Sequence, residues 1–93
     1  MRRIEYTRAF RRDFKGEKKG QHRRDLDSLV SGVVSLLAED QTLPEKNRDH
    51  RLSGNWDDHR ECHLKPDLLL ICRKPDVKVL QLIRLGSHSE LLG

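Results

Sequence analysis

The clearest pattern in the chain is an apolar stripe with helical spacing in residues 26–37. Its members are Leu26, Leu29, Val30, Val33, Val34, Leu36 and Leu37. They follow the i, i+3, i+4, i+7 rule of an amphipathic helix. Asp25 and Asp27 come at its start, where the helix dipole favours acidic side chains. The pattern predicts a helix that packs one face against a core.

The N-terminal segment predicts a strand followed by a second, thinner amphipathic helix. Residues 3–6 alternate weakly between polar and apolar side chains, as in an edge strand. Thr7 is a suitable N-cap, and Phe10 and Phe14 stand one helical turn apart behind it. Gly20 follows, and we expect the two helices to meet near it as an antiparallel hairpin.

The C-terminal half has the shorter period of strands separated by turns. The pattern predicts a charged loop at 39–49 with one helical turn, strands at 51–52, 58–64, 68–72 and 77–85, turns at 65–67 and 74–76, and a last helical turn after His88. The order of elements therefore predicts an α+β fold, with a helix hairpin packed on one twisted, mainly antiparallel sheet.

Composition bounds what this fold can be. The 93 residues are 34% hydrophobic and 37% charged, enough for one modest core and one domain spanning 1–93. No apolar stretch follows the basic start, so we expect no secretory signal peptide and no membrane partner. Cys62 and Cys72 lack zinc or redox spacing. These observations predict a cytoplasmic protein with reduced thiols.

Charge is distributed unevenly along the chain. Residues 1–24 hold ten Lys/Arg against three Asp/Glu, whereas residues 25–93 hold nine against twelve. A basic patch of this kind attracts polyanions and releases their counterions on binding. An ordinary solvated helix face would have the same composition, so charge alone favours a nucleic-acid partner only modestly.

Four residues of the second half are candidates for acid–base catalysis: His50, His63, Asp67 and His88. Histidine gives and takes protons near neutral pH, which is what metal-free cleavage of an RNA phosphodiester requires. Taken singly, each has an ordinary structural explanation, such as an exposed histidine, a strand residue or a turn cap. Together, they can meet at one end of a sheet, because His63 and Asp67 flank one turn and His88 ends the last strand. Arg84 would lie close enough to bind a phosphate.

A metal site is the main rival for these side chains. His50, His59, Cys62 and His63 are possible ligands, but no CxxC or HxxxH pair occurs. Alternation along the predicted strand 58–64 places His59, Glu61 and His63 on one face and Arg60, Cys62 and Leu64 on the other, so Cys62 and His63 point to opposite faces. The sequence also lacks a nucleophile elbow and a glycine-rich phosphate loop. We therefore expect neither a metal nor another cofactor.

Three motifs occur in order near the C-terminus: KNRDHRLSGNW at 46–56, RECHLKPD at 60–67 and RLGSHSEL at 84–91. In these motifs and in length the chain resembles the YafQ-type toxins of the RelE superfamily, the ribosome-dependent mRNA interferases of bacterial type II toxin–antitoxin modules. The resemblance runs nearly end to end. It implies a RelE-like fold and cleavage of mRNA in the ribosomal A site, with the substrate's 2′-hydroxyl attacking the adjacent phosphate.

The resemblance also implies roles and partners. By this resemblance, His88 corresponds to the family's proton donor and His50 to its general base. His63 and Asp67 correspond to orienting and electrostatic residues. Substrate binding falls on three further positions, Arg84, Lys65 and Leu92. The implied partners are a cognate acidic antitoxin, the ribosome with its small-subunit RNA, and mRNA, with operator DNA reached only through the antitoxin. Some relatives carry an aromatic residue at the positions of Leu68 and Leu92, so codon preference is not carried over.

A nonenzymatic alternative remains open from the residues alone. A basic helix hairpin could dock on RNA or an operator through residues 2–24 without any chemistry. This alternative predicts that His50 and His88 can be replaced by Ala without loss of function, while Arg11 and Arg12 cannot.

Overall fold

The computed structural model describes all residues 1–93 and has an α+β fold, as predicted. Its strands are β1 (Arg3–Tyr6), β2 (His50–Arg51), β3 (Arg60–Lys65), β4 (Leu68–Asp76) and β5 (Val79–Gly86), and its helices are α1 (Arg8–Glu17), α2 (Leu26–Ala38) and α3 (His88–Leu92). Short 3-10 turns at Glu45–Asn47 and Gly54–Trp56 complete it. None of the helices has the length and apolar character needed to cross a membrane.

The five strands form one sheet in the order β1-β5-β4-β3-β2. β1 pairs with β5 in parallel, and the other neighbours are antiparallel. A parallel pair needs a crossover connection, which the intervening chain supplies. The mainly antiparallel sheet predicted from the sequence is confirmed.

The start of α1 is fixed to the end of β5 by its N-cap. The Thr7 side-chain oxygen accepts a hydrogen bond from the Phe10 N–H (3.0 Å), and its hydroxyl donates to the Ile83 carbonyl (2.8 Å). The helix then runs through the exposed Gly16 to Glu17. One glycine in a helix costs only about 1 kcal/mol, so it does not end the helix.

Several predicted strand limits are wrong by a few residues. β4 continues through Lys74 and Pro75 to Asp76, so the turn before β5 falls at 77–78 rather than 74–76. Pro75 is tolerated there because the pairing of β4 with β5 is irregular between Arg73 and Asp76. Proline has no backbone N–H, and at this irregularity the strand does not need one for regular pairing. β2 is His50–Arg51 rather than 51–52, and β3 begins at Arg60 because the chain before it is occupied by a turn.

The sheet is apolar on both faces. The main core, between the sheet and helices α1 and α2, includes Phe10, Leu26, Val34, Leu70 and Leu82. A smaller cluster on the opposite face consists of Leu69, Ile71 and Leu91, with Leu52, Trp56, Ile83 and Leu92 packed against it.

The alternation predicted for β3 is confirmed where the strand forms. Cys62 and Leu64 are buried in the main core, and Glu61 and His63 belong to the opposite face. Burial raises the pKa of the Cys72 thiol to about 12, which keeps this thiol protonated at neutral pH.

Candidate functional site

The strand register places His50, Glu61 and His63 on the face of the sheet opposite α1 and α2, in two rows of paired residues. His50 pairs with Glu61, Glu61 with Ile71, and Ile71 with Arg84. The next row is His63, Leu69 and Gly86. Directly paired residues share a face of the sheet, so Glu61 and the two histidines lie beside a floor made by Leu69 and Ile71 of β4. Arg84 lies next to a register shift between β4 and β5, and its guanidinium reaches Asp13 of α1.

Glu61 links the two histidines of this face. Its Oε1 lies 3.0 Å from Nε2 of His63 and 3.8 Å from Nε2 of His50. The Glu61 side chain is 5% exposed, that of His63 14% and that of His50 51%. A carboxylate this deeply buried needs hydrogen-bond donors, and the imidazole of His63 provides one.

The local backbone orients the ring of His50. Its Nδ1 lies 2.7 Å from the carbonyl oxygen of Arg48. A carbonyl only accepts hydrogen bonds, so Nδ1 carries the hydrogen, and Nε2 of the neutral ring is left as the basic nitrogen. Arg48 adopts a left-handed conformation (φ +46°), which gives its carbonyl this direction.

Asn47 fixes the neighbouring strand. It is buried, and its side-chain amide donates to the His63 carbonyl at 2.8 Å. The loop that carries His50 is therefore attached to the strand that carries His63. The relative position of the two rings is set by this contact and by their shared strand pairing.

Asp67 and His88 come from two other connections. Asp67 lies exposed in the turn between β3 and β4, as predicted. His88 is the exposed first residue of α3 and follows the N-cap Ser87. Ser87 and Glu90 form a reciprocal capping box, which lowers the pKa of Glu90 through the hydrogen bond from the Ser87 N–H. This cap fixes the backbone that carries His88.

The three predicted substrate-binding residues all have protein contacts. Arg84 donates to Asp13 through Nε (2.6 Å) and Nη2 (3.3 Å). Lys65 lies 3.0 Å from a carboxylate oxygen of Asp25. Leu92 is half-buried against the smaller cluster. The two cations are therefore held in ion pairs at the protein surface.

Two residues of the site were not singled out from the sequence. The alternation of β3 placed Glu61 on the face of His63, but a glutamate in a strand is commonly a solvated residue. The role of Glu61 becomes visible only once the pairing of β2 with β3 is known, because this pairing sets Glu61 opposite His50. Asn47 gave no signal, because a side chain that binds a distant backbone carbonyl leaves no pattern along the chain.

The same geometry bears on metal binding. No group of three or more His, Cys, Asp or Glu side chains is placed to hold a metal ion. His59, one possible ligand, packs edge-on against Trp56 instead, with ring centroids 5.0 Å apart. Cys62 lies in the main core on the other side of the sheet.

Comparison with known proteins gives a consistent set of relatives. Residues 2–93 match the family model for the "Bacterial toxin of type II toxin-antitoxin system, YafQ". The chain is 34% identical to the mRNA interferase toxin YafQ of Escherichia coli K12, over 100% of this chain and 98% of that protein. It superimposes on YafQ in the E. coli DinJ–YafQ complex with a TM-score of 0.85 at 33% identity, with full coverage of both chains. A metal-bound toxin from Helicobacter pylori matches with a TM-score of 0.88 at 47% identity, over 99% of this chain and 100% of that one.

Proposed function

The chain belongs to the YafQ family of type II toxins, and from that premise we propose that it is a ribosome-dependent endoribonuclease. It would cut mRNA in the ribosomal A site by metal-free acid–base catalysis. The proposal is supported by the full-length similarity to a protein named as an mRNA interferase. It is supported equally by the chemistry of the face that carries the histidines.

The observation that carries the proposal is the arrangement of His50, Glu61 and His63. One buried carboxylate lies within 3.0 Å and 3.8 Å of two imidazoles, and the outer imidazole is half exposed. A base must reach solvent to meet a substrate, and an orienting partner must fix its tautomer. His50 meets both conditions, because the Arg48 carbonyl holds Nδ1–H and leaves Nε2 free.

The proposed reaction needs two proton transfers. Nε2 of His50 takes the proton of the ribose 2′-hydroxyl, and the oxygen attacks the adjacent phosphorus. The bond from phosphorus to the 5′-oxygen breaks, and His88 gives this oxygen its proton. The products are a 2′,3′-cyclic phosphate and a 5′-hydroxyl. A positioned acid or base contributes roughly 10²–10⁴-fold to such a step.

The remaining residues orient the base or act on the charge of the substrate. His63 and its partner Glu61 orient the ring of His50, and Asp67 acts electrostatically on the substrate from the turn between β3 and β4. Arg84 binds the phosphate, since its guanidinium is a donor for anionic oxygens. In this proposal Lys65 would contact the RNA chain and Leu92 would pack against a base.

We propose a cognate acidic antitoxin as the protein partner, by similarity to YafQ in its complex with DinJ. An apolar groove of about 880 Å³ lies between α1, α2 and β1, with Ile4, Phe10 and Phe14 in its lining. Arg11 lies over the exposed Tyr6 ring, 5.1 Å from its centroid, at the same groove. Apolar antitoxin side chains would fill the groove and acidic ones would meet Arg11. Operator DNA would be reached only through the antitoxin.

Cleavage of a defined mRNA tests the proposal. The purified protein is incubated with the mRNA alone and with the mRNA on programmed ribosomes, and the fragment ends are identified chemically. We expect cuts only on ribosomes, with 2′,3′-cyclic phosphate ends, and none with His50→Ala. His59→Gln serves as the matched histidine control and should cut normally. No cleavage by the wild-type protein, with ribosome binding that survives His50→Ala but is lost on removal of Arg11 and Arg12, would favour the nonenzymatic RNA-binding alternative.

A further inference from the structure

Asp13 of α1 is an acidic residue that the proposed mechanism does not use. It is largely buried, with a side chain 11% exposed, and lies 2.6 Å from Nε of Arg84. Arg12, its neighbour in α1, approaches it only at 3.8 Å through an exposed side chain. Arg84 is therefore the main cation that Asp13 meets, and the pair raises the pKa of Arg84 further.

The geometry of the pair leaves the phosphate-binding end of Arg84 free. Asp13 takes the side of the guanidinium formed by Nε and Nη2. Nη1 has no hydrogen-bond partner in the protein, and the arginine side chain is 28% exposed. A guanidinium held from its side in this way can still offer its outer N–H groups to an anion.

Asp13 also holds the end of the strand from which His88 emerges. The carboxylate oxygen that binds Nε of Arg84 accepts the Leu85 N–H at 3.0 Å. β1 pairs with β5 only as far as Leu82, so this N–H lies beyond the paired edge. One carboxylate thus fixes the side chain of Arg84 and the backbone that leads to Ser87 and His88.

We propose that Asp13 is a positioning residue for the reaction, acting through Arg84. It holds the guanidinium of Arg84 in one position, so that the phosphate meets a preorganised cation. A loose arginine would have to be ordered when RNA binds, and this ordering costs free energy. The inference rests on the proposed function, in which Arg84 contacts the phosphate.

A double-mutant cycle in cleavage rate tests this inference. The variants are Asp13→Asn, Arg84→Gln and the double variant, measured by single-turnover cleavage on programmed ribosomes at a temperature where all are folded. If a hydrogen bond to a charged group is lost in the transition state, the cleavage rate falls by roughly tenfold to hundredfold. We expect Asp13→Asn to slow cleavage by that order in the wild-type background and to have no further effect in Arg84→Gln. Asp40→Asn is the matched control, because Asp40 pairs with Arg2 and Lys74 away from the site.

The outcomes separate the inference from the function on which it rests. Independent losses that multiply in the double variant would mean that Asp13 does not act through Arg84 but through its contact with the Leu85 backbone, and would overturn the inference. An active Asp13→Asn beside a slow Arg84→Gln would overturn it as well. A fully active Arg84→Gln would remove Arg84 from the mechanism and the inference with it, whereas a wild type that never cuts would refute the proposed function itself. Should Asp13→Asn not fold, Asp13→Glu takes its place in the cycle.

Discussion

Removal of the Glu61 carboxylate is the substitution whose effect the site geometry defines best. Glu61→Ala leaves Nε2 of His63, in a side chain only 14% exposed, without its partner at 3.0 Å. It also takes away the negative charge 3.8 Å from His50. A hydrogen bond to a charged group is worth about 1.5–3 kcal/mol. If that free energy is lost in the transition state, the rate falls by about tenfold to somewhat more than a hundredfold.

The assay is single-turnover cleavage on programmed ribosomes, with the thermal midpoint of each variant measured in parallel. Glu61→Gln keeps the shape and one acceptor but not the charge, so its rate should lie between those of wild type and Glu61→Ala. Glu5→Gln is the matched control, since Glu5 is also a strand glutamate but lies on β1, with Arg3 and Gln81 as partners. Wild-type rates for both Glu61 variants, at unchanged stability, would refute the claim that this carboxylate orients the histidines.

Three further results are expected. Cleavage should survive chelation of tightly bound transition metals once the magnesium needed by the ribosome is restored, and loss of activity that zinc or copper recovers would contradict the metal-free mechanism. Replacing Arg11, Arg12 and Lys15 together should weaken ribosome association and flatten its salt dependence, because fewer counterions are released; unchanged binding at all salt concentrations would show that this face is only solvated. Burial and the nearby Glu90 raise the pKa of Glu17 in the folded protein, so ionised Glu17 destabilises the fold. Glu17→Gln should therefore raise the thermal midpoint at pH 7, and the difference in midpoint from wild type should vanish as the pH falls below about 4.

The helices and strands could be predicted where buried side chains recur with the period of the element. This holds for the apolar stripe of α2 and for the alternation of Cys62 and Leu64 with Glu61 and His63 in β3. The ends of the strands could be predicted less well. Pro75 signals a turn in most sequences, yet here it lies in an irregular part of β4, and only the pairing with β5 shows this.

The site was predictable as a set of residue types but not as a set of contacts. The approach of Asp13 to Arg84 joins residues 71 positions apart, and that of Asn47 to the His63 carbonyl joins residues 16 apart. Such contacts depend on how α1 and the loop before β2 lie on the sheet, which no local pattern specifies. For that reason, Arg84 was expected as a phosphate-binding cation and was found already paired with an acid.

The rate of the His88→Ala variant tests the central claim most directly, because the leaving 5′-oxygen needs a proton and His88 is the residue proposed to supply it. The measurement is single-turnover cleavage of mRNA on programmed ribosomes, with ribosome binding and antitoxin binding of the same variant as controls. We predict a folded protein that binds both partners but cuts about 10²–10⁴-fold more slowly than wild type. A folded, ribosome-bound His88→Ala protein that cuts at nearly the wild-type rate would contradict the account.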